Sequence, residues 1–501
     1  MSPFQRRLFG VGGAASHGCG RPFDGRDDRA DHVARRIARQ TGCGAGSVGF
    51  GGSSMTVHTT ALSRRRLLQS GGLAAASWLA MGPRSLRAAA NDRLRLAGIG
   101  VGGMGGSDLA SLSSHGSVEV VGLCDVDTGN LASAGEKHPG AKRFADFREM
   151  FEKLGDSIDA VHVSTPDHTH AAAAMTAMNL GKHVYCQKPL THDVYESRQL
   201  RLVAAKTGLV TQMGTQIHST TPYRTAVKLV QSGVIGPVSE VHSWSNKTWG
   251  YDGPDPATGE VPANLNWDLW LGTAANRPYC PGQYHPGNWR RWYDFGCGTM
   301  GDMAIHILDP VFSALKLGAP SEIVSASSTP PPRSYGMQNE TRFTFAQKTA
   351  FTSDDFRLTW YDGGRMPDTS AWPLDTADGK RMDLPGQGSM FIGSEGAILL
   401  PHVGMPVLLP AAQFAETEIV PAENGNHYHL FVDACLGGAP TTCGFDYAGP
   451  LTEAVLLGTI ANRFPGDTLR WEPETMQLPG HDAAQALLRR QYREGFEVTN
   501  L

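Results

Sequence analysis

Apolar residues in the first folded third of the chain fall in short continuous runs, separated by stretches of helix length. Leu94, Leu96, Ala97 and Ile99 form one run, which ends in Gly100-Val101-Gly102-Gly103-Met104-Gly105. A helix-compatible stretch then reaches about Ser113, and a second run, Val118 to Leu123, closes on Asp125. Short runs without polar alternation are the mark of strands buried on both faces, as in a parallel sheet. The pattern continues with a strand over Ile158 to Ser164 and an alanine-rich helix over 171–180 that stops at Gly181. His183 to Cys186 is the next strand. Asp193 and Glu196 form a capping box for a helix running to about Lys206, which Gly208 closes before a strand over Leu209 to Met213. Strands alternating with helices predict a doubly wound α/β domain over residues 91–213.

Beyond 214 the rhythm changes. Pro222 to Gln231 reads as a helix burying Tyr223, Ala226, Val227 and Val230. Strands are expected at Val238–Trp244, Arg342–Phe345, Phe356–Tyr361, Ser389–Ile392 and Ala397–Leu400, and helices at Tyr428–Leu436 and Leu451–Asn462. Irregular spacing of this kind predicts an α+β domain with a mostly antiparallel sheet over 214–501. The Pro/Gly-rich segment 250–288 is expected to be loop, over a site mouth or at a subunit contact.

The first strand–turn–helix–strand unit carries its own chemistry. Gly100 permits a tight turn, Gly102 and Gly103 let backbone approach a pyrophosphate, and Gly105 lets helix and strand pack closely. The helix amino end offers free N–H groups and a positive dipole to phosphate. Asp125, at the end of the second strand, is placed to accept from the adenosine ribose hydroxyls, and its charge disfavours a 2′-phosphate. The unit is therefore a Rossmann dinucleotide site with NAD preferred over NADP. Ligands of such sheets bind at the carboxyl ends of the strands, which makes Thr165, Pro166, His170, Gln187 and Lys188 cofactor-facing candidates.

Composition narrows the class. The chain has 501 residues, 44 Lys and Arg against 48 Asp and Glu, and a formal net charge of −4, so nothing suggests nucleic acid as a partner. No apolar run approaches the roughly 20 residues of a membrane span. The eight cysteines contain no CxxC pair, which leaves no zinc ribbon, and no metal is expected. Residues 1–54 are Gly- and Arg-rich without Lys or Glu, and read as a disordered extension or as an over-extended reading frame that properly starts at Met55. Ser63-Arg64-Arg65-Arg66-Leu67-Leu68, a weakly apolar stretch Gly71–Met81 and Ala88-Ala89-Ala90 fit a twin-arginine export signal over 55–90. The mature chain is then expected in the periplasm or otherwise outside the cytoplasm.

Four stretches, GIGVGGMG, STPDHTH, GKHVYCQKPL and FGCGTMGDMAIHILD, resemble the Gfo/Idh/MocA oxidoreductases (glucose–fructose oxidoreductase and inositol dehydrogenase relatives) across residues 93–500. The resemblance implies a catalytic Lys188, Asp302 and His306, a sugar, cyclitol or glycoside substrate, and a homo-oligomer, dimer or tetramer. Asp302 and His306, four apart, would share a helix face, the imidazole taking the hydroxyl proton and the carboxylate orienting it. Lys188 would polarise the substrate oxygen. Where the family usually has Glu before Lys-Pro, this chain has Gln187, which removes a negative charge beside Lys188. That departure either tunes the lysine or marks a weakened redox site.

Softer candidates complete the picture. Trp289, Arg290 and Trp292 offer aromatic faces and a guanidinium to a sugar, and Gln216 and His218 follow the last strand of the first domain. His162 and His183 read as satisfied strand histidines, and His168 and His170 as neighbours of the nicotinamide. The leading expectation is an NAD-dependent oxidoreductase acting on a secondary hydroxyl, its cofactor tightly held. A redox-neutral glycosidase or lyase working through a transient keto-sugar, and a sugar-binding homologue without turnover, are the alternatives.

Overall fold

The computed structural model describes residues 93–376 and 378–501. The expectations for residues 1–54 and the export signal at 55–90 lie outside the described residues.

Six parallel strands form the first sheet, in the order β3-β2-β1-β4-β5-β6. They are β1 Leu94–Ile99, β2 Val118–Cys124, β3 Lys142–Phe144, β4 Ala160–Val163, β5 His183–Cys186 and β6 Thr211–Met213. Five helices cross between them: α1 Gly103–Ser113, α2 Thr128–Lys137, α3 Phe147–Leu154, α4 Asp167–Asn179 and α5 Val194–Thr207. The order reverses between β1 and β4, which opens a crevice at the carboxyl ends of those strands. Local signals set these boundaries. Asp127 and Asp146 cap α2 and α3, the Asp193–Glu196 capping box starts α5, and Gly208 ends it at φ 67°.

A second sheet of eight strands follows, ordered β13-β12-β11-β7-β10-β9-β8-β14. Its strands are β7 Val238–Ser245, β8 Glu322–Ser325, β9 Asn339–Thr344, β10 Thr352–Asp362, β11 Gln387–Gly393, β12 Ala397–Pro401, β13 Val407–Leu409 and β14 Thr468–Arg470. The pairings are antiparallel except β7 with β10. The fold is thus a Rossmann-like parallel domain followed by an α/β domain with a mostly antiparallel mixed sheet.

After β13 the chain returns to the first domain, before β14 completes the second sheet. Helices α6 Thr221–Gln231, α7 His427–Cys435 and α8 Phe445–Ala461 bracket this return, α7 packing on α1 and α8 on α5. Arg198 of α5 meets Glu453 of α8 in a bidentate pair, both bonds 2.7 Å. Removing one partner would strand a buried charge at a cost of about 3–5 kcal/mol. One apolar core accordingly runs from Ala97 and Val163 of the first sheet through Leu451 and Leu457 of α8 to Phe343 and Leu358 of the second. Among the described residues no helix is long and apolar enough to cross a membrane.

Three features depart from the sequence reading. Helix α4 starts at Asp167 rather than 171, because Asp167, His168 and His170 are buried helical positions despite their polarity. Helix α8 starts at Phe445 and carries Pro450 inside it, where the sequence suggested a start at Leu451. Segment 250–288 is largely loop, yet it contributes a helical turn, Trp267–Leu271, and buries Trp270, Tyr279 and Tyr284 in an aromatic cluster with Trp289, Trp292 and Phe295.

Candidate active site

The crevice at the strand ends opens into a cavity of about 540 Å³, walled by both domains and by the 250–288 segment. Its first end is the turn after β1. Gly100 sits at φ 78°, with the Ser164 carbonyl 2.6 Å from where a Cβ would be, so only glycine fits. At Gly105 a Cβ would lie 2.0 Å from the Gly100 carbonyl oxygen, which is the close turn–helix packing the sequence implied. Gly102 serves a different neighbour than expected: the space beside it holds the Asn130 carboxamide. Helix α1 begins without a side-chain cap and without an acid in its first turn, so its amino end keeps donors for an anion. Gly100, Gly102, Gly103 and Met104 line the cavity there.

Asp125 marks the adenosine side. Its carboxylate accepts from the Val101 and Asp127 N–H groups, both at 2.9 Å, and burial raises its pKa against those bonds. An uncapped helix start, a glycine turn and a pinned acid at the end of β2 fit a dinucleotide. Gly100, Gly102, Gly103 and Asp125 would hold it.

At the other end Lys188 and Asp302 meet. Lys188 Nζ donates to the Asp302 carboxylate at 2.6 Å and to its carbonyl at 2.9 Å. The Trp249 indole donates to the second carboxylate oxygen at 2.7 Å, and Arg290 Nε reaches the first at 3.3 Å. Burial alone would raise the Asp302 carboxyl, but the Lys188 ammonium and the Arg290 guanidinium reverse this and hold it well below the usual carboxylate range. Asp302 lies in a π-helical turn, Met300–Ala304, which leads into Ile305–Ile307 and so to His306.

His306 lines the same cavity, but its partner is not Asp302. No hydrogen bond among the described residues ends on its ring, and Nδ1 is buried without a partner. The expected carboxylate–imidazole contact is absent because two cations and an indole already hold that carboxylate. Burial first, then Lys188 and His402, hold the His306 imidazole well below its ordinary value, so the ring is neutral.

Other expected residues divide clearly. Thr165, Pro166, Gln187, Gln216, Trp289 and Arg290 line the cavity. His170 lines it too, but its nitrogens lie 2.8 Å and 2.9 Å from the Thr165 and Pro189 carbonyls, so it fixes the backbone that bears the neighbouring groups. His168 is locked against the Phe295 and Trp270 carbonyls, and Trp292 belongs to the aromatic cluster. His218 turns away to Asp309 at 2.9 Å. His162 is fully buried with neither ring nitrogen bonded, whereas His183 accepts from the Val210 N–H at 3.0 Å.

Four residues that the sequence did not single out complete the walls. Lys247 and Trp249 come from the segment just after β7, and His402 comes from the turn after β12 and meets the Tyr223 hydroxyl at 2.7 Å. Burial, then Lys247 and Lys188, hold His402 at about 4. The fourth, Asp108, stands behind the wall. Fully buried on α1, it accepts from Gln187 Nε2 at 2.9 Å, Ser164 Oγ at 2.8 Å and Tyr428 OH at 2.8 Å. Gln187 Oε1 in turn accepts the Lys188 N–H at 3.1 Å. A carboxyl group therefore sits one hydrogen bond from 187, on Asp108, where burial raises its pKa against these bonds.

A parallel sheet ending in a dinucleotide cradle, with a second sheet closing its cleft, is the architecture of the NAD-binding oxidoreductases. Residues 94–215 match the NAD-binding Rossmann fold of the GFO/IDH/MocA oxidoreductase family, and residues 219–346 match that family's C-terminal alpha/beta domain. Over these residues the chain is similar to the Gfo/Idh/MocA oxidoreductases. Inositol 2-dehydrogenase of Salmonella typhimurium (strain LT2) is 28% identical over 147 residues, 29% of this chain and 43% of that one. Levoglucosan dehydrogenase of Pseudarthrobacter phenanthrenivorans is 24% identical over 165 residues, 33% of this chain and 34% of that one. Both matches span less than half of the relative's own length. The WlbA dehydrogenase of Bordetella pertussis, solved with NADH and UDP-GlcNAcA, superposes with a TM-score of 0.53 at 14% identity, covering 76% of this chain and 99% of that one. That is a likeness of fold.

Proposed function

We propose that this chain is an NAD-dependent dehydrogenase that oxidises a secondary hydroxyl of a sugar, cyclitol or glycoside. The observation that carries the reading is convergence: Lys188 and the Asp302–His306 pair, more than a hundred positions further along the chain, line one cavity with the glycine turn and Asp125. In this reading the substrate hydroxyl lies between Lys188 and His306. The neutral His306 ring takes the hydroxyl proton, and the Lys188 ammonium, anchored by Asp302, stabilises negative charge developing on the oxygen. Bound nicotinamide supplies the hydride acceptor. Asp302 keeps the lysine aimed, and Trp249 and Arg290 keep Asp302 aimed.

A second reading draws support from His402. A second neutral imidazole, half-buried on the same cavity, suits a proton transfer that simple oxidation does not need. Once a sugar carbon is a ketone, its neighbouring C–H is acidic. A second base could take that proton while a leaving group departs with the electron pair, and returning the hydride would make the cycle redox-neutral. Such a cycle suits an enzyme that keeps its cofactor. Tight cofactor retention, export through the twin-arginine route to the periplasm on the strength of residues 63–90, and assembly as a dimer or tetramer belong to the same proposal.

The test uses the full chain, with nucleotide extracted from the purified protein and reduced-nicotinamide absorbance followed across a sugar and glycoside panel. Wild type should reduce its nicotinamide with at least one sugar. His306→Asn should lose about 100- to 10,000-fold in turnover with unchanged nucleotide content. Released aglycone without net reduction would favour the redox-neutral cycle. Absence of nucleotide binding, or a fully active His306→Asn, would overturn the proposal.

A further inference from the structure

The substrate end of the cavity has more cation than anion. Lys188, Arg290 and Lys247 line it, against Asp302 and the deeper Asp167. Both oxygens of Asp302 are engaged, by Lys188 and Arg290 on one side and by Trp249 on the other. Asp167 is buried, feels the Arg290 and Lys188 charges, and accepts the Cys297 N–H at 3.1 Å. The other acids of the cavity, Asp125 and Asp146, belong to the adenosine end, Asp125 at the close of β2 and Asp146 as the cap of α3.

Two cations keep unspent donors. Among the described residues no carboxylate lies within ion-pair distance of Lys247, and no hydrogen bond ends on its Nζ. Arg290 spends Nε on Asp302 and Nη1 on the Gly287 carbonyl at 3.2 Å, which leaves Nη2 without a partner among the described residues. Its guanidinium is held in place, 4.3 Å from the Trp289 ring centroid and 5.5 Å from that of Trp249. The two histidines of this end, His306 and His402, are neutral and contribute no balancing charge.

A neutral polyol would displace water from these cations and return only hydroxyl dipoles. An anionic group would instead make charge-assisted bonds to a preoriented guanidinium and to an ammonium. We propose that the substrate is an acidic sugar, whose carboxylate or other anionic substituent binds between Arg290 and Lys247 while the hydroxyl to be oxidised faces Lys188 and His306. This rests on the dehydrogenase reading for the hydroxyl, and on the cation pair alone for the anion.

The experiment uses full-chain, NAD-loaded protein and two matched pairs, glucose with glucuronate and galactose with galacturonate, plus glucose 6-phosphate. Binding is read from tryptophan fluorescence, and turnover from nicotinamide reduction. At least one acid should bind roughly tenfold or more tightly than its neutral partner, as expected for hydrogen bonds to charged groups. Lys247→Met should remove most of that ratio and Lys247→Arg should restore it. Tighter binding of a uronate assigns a carboxylate, and tighter binding of glucose 6-phosphate assigns a phosphate. Equal or weaker binding of every acid, or a ratio unchanged in Lys247→Met, overturns the inference. Acid-selective binding with no nicotinamide reduction by any sugar would instead sink the dehydrogenase reading and leave the anion site standing.

Discussion

Gln187→Glu tests whether the buried charge beside the active-site lysine has moved to Asp108. The amide now donates to Asp108 across 2.9 Å in a fully buried position. A glutamate there sets two carboxylates against each other. Left ionised at that distance, they would repel by about 6 kcal/mol at an effective dielectric near 20. Protonating one of them instead costs about 1.4 kcal/mol for every pH unit above its ordinary pKa near 4, or roughly 4 kcal/mol at pH 7. Protonation is the cheaper route and sets the scale. The shared carboxyl has a folded pKa raised above its unfolded value, so the penalty is absent below about pH 4 and grows as pH rises. Urea unfolding of wild type and variant at pH 5 and pH 8 should therefore show a stability gap that widens by about 4 kcal/mol across the interval. The double variant Asp108→Asn/Gln187→Glu, which exchanges donor and acceptor, should close most of it. A gap independent of pH, or none at pH 8, would refute the placement of the charge.

Two further outcomes follow from the same geometry. Gly105→Ala drives a methyl to 2.0 Å from the Gly100 carbonyl and must distort the turn, so the variant should lose bound nucleotide, as measured by extraction and absorbance, while its far-UV spectrum stays native. His162, His402 and His427 are each held by burial at about 4, so the unfolded chain takes up their protons first as the medium acidifies. Their stability contribution is complete above about pH 6.5 and lost toward pH 4, by up to about 3 kcal/mol per histidine; a urea midpoint unchanged between pH 7 and pH 5 would contradict it.

The parts legible in the sequence are those whose physics is local. Apolar runs, the glycine turn, the Asp193–Glu196 box and the Gly208 stop depend on neighbours within a few residues, and the first sheet follows from them. Strand β3 did not show, because it is three residues long and exposes Lys142 and Arg143. The site was legible only where a motif bears it. Asp108 lies 79 positions from Gln187 and 320 from Tyr428, and nothing near it in the sequence marks it as more than a polar helix residue. Lys247, Trp249 and His402 sit just after strands of the second sheet, where only the tertiary fold decides what faces the cleft. The assumed Asp302–His306 contact failed for a related reason. Spacing shows that two side chains can meet, but not which competing partners reach one of them first.

The return of the chain through α7 and α8 has a consequence for how the molecule comes apart. Because Tyr428 and Glu453 reach back to Asp108 and Arg198, the nucleotide-binding half lacks part of its own interior until the last quarter of the polypeptide has been added. A fragment ending near residue 346 would expose the faces of α1 and α5 that α7 and α8 cover, so it should be insoluble or molten rather than an autonomous unit. The two halves that are easy to tell apart by their sheets are expected to melt in a single transition.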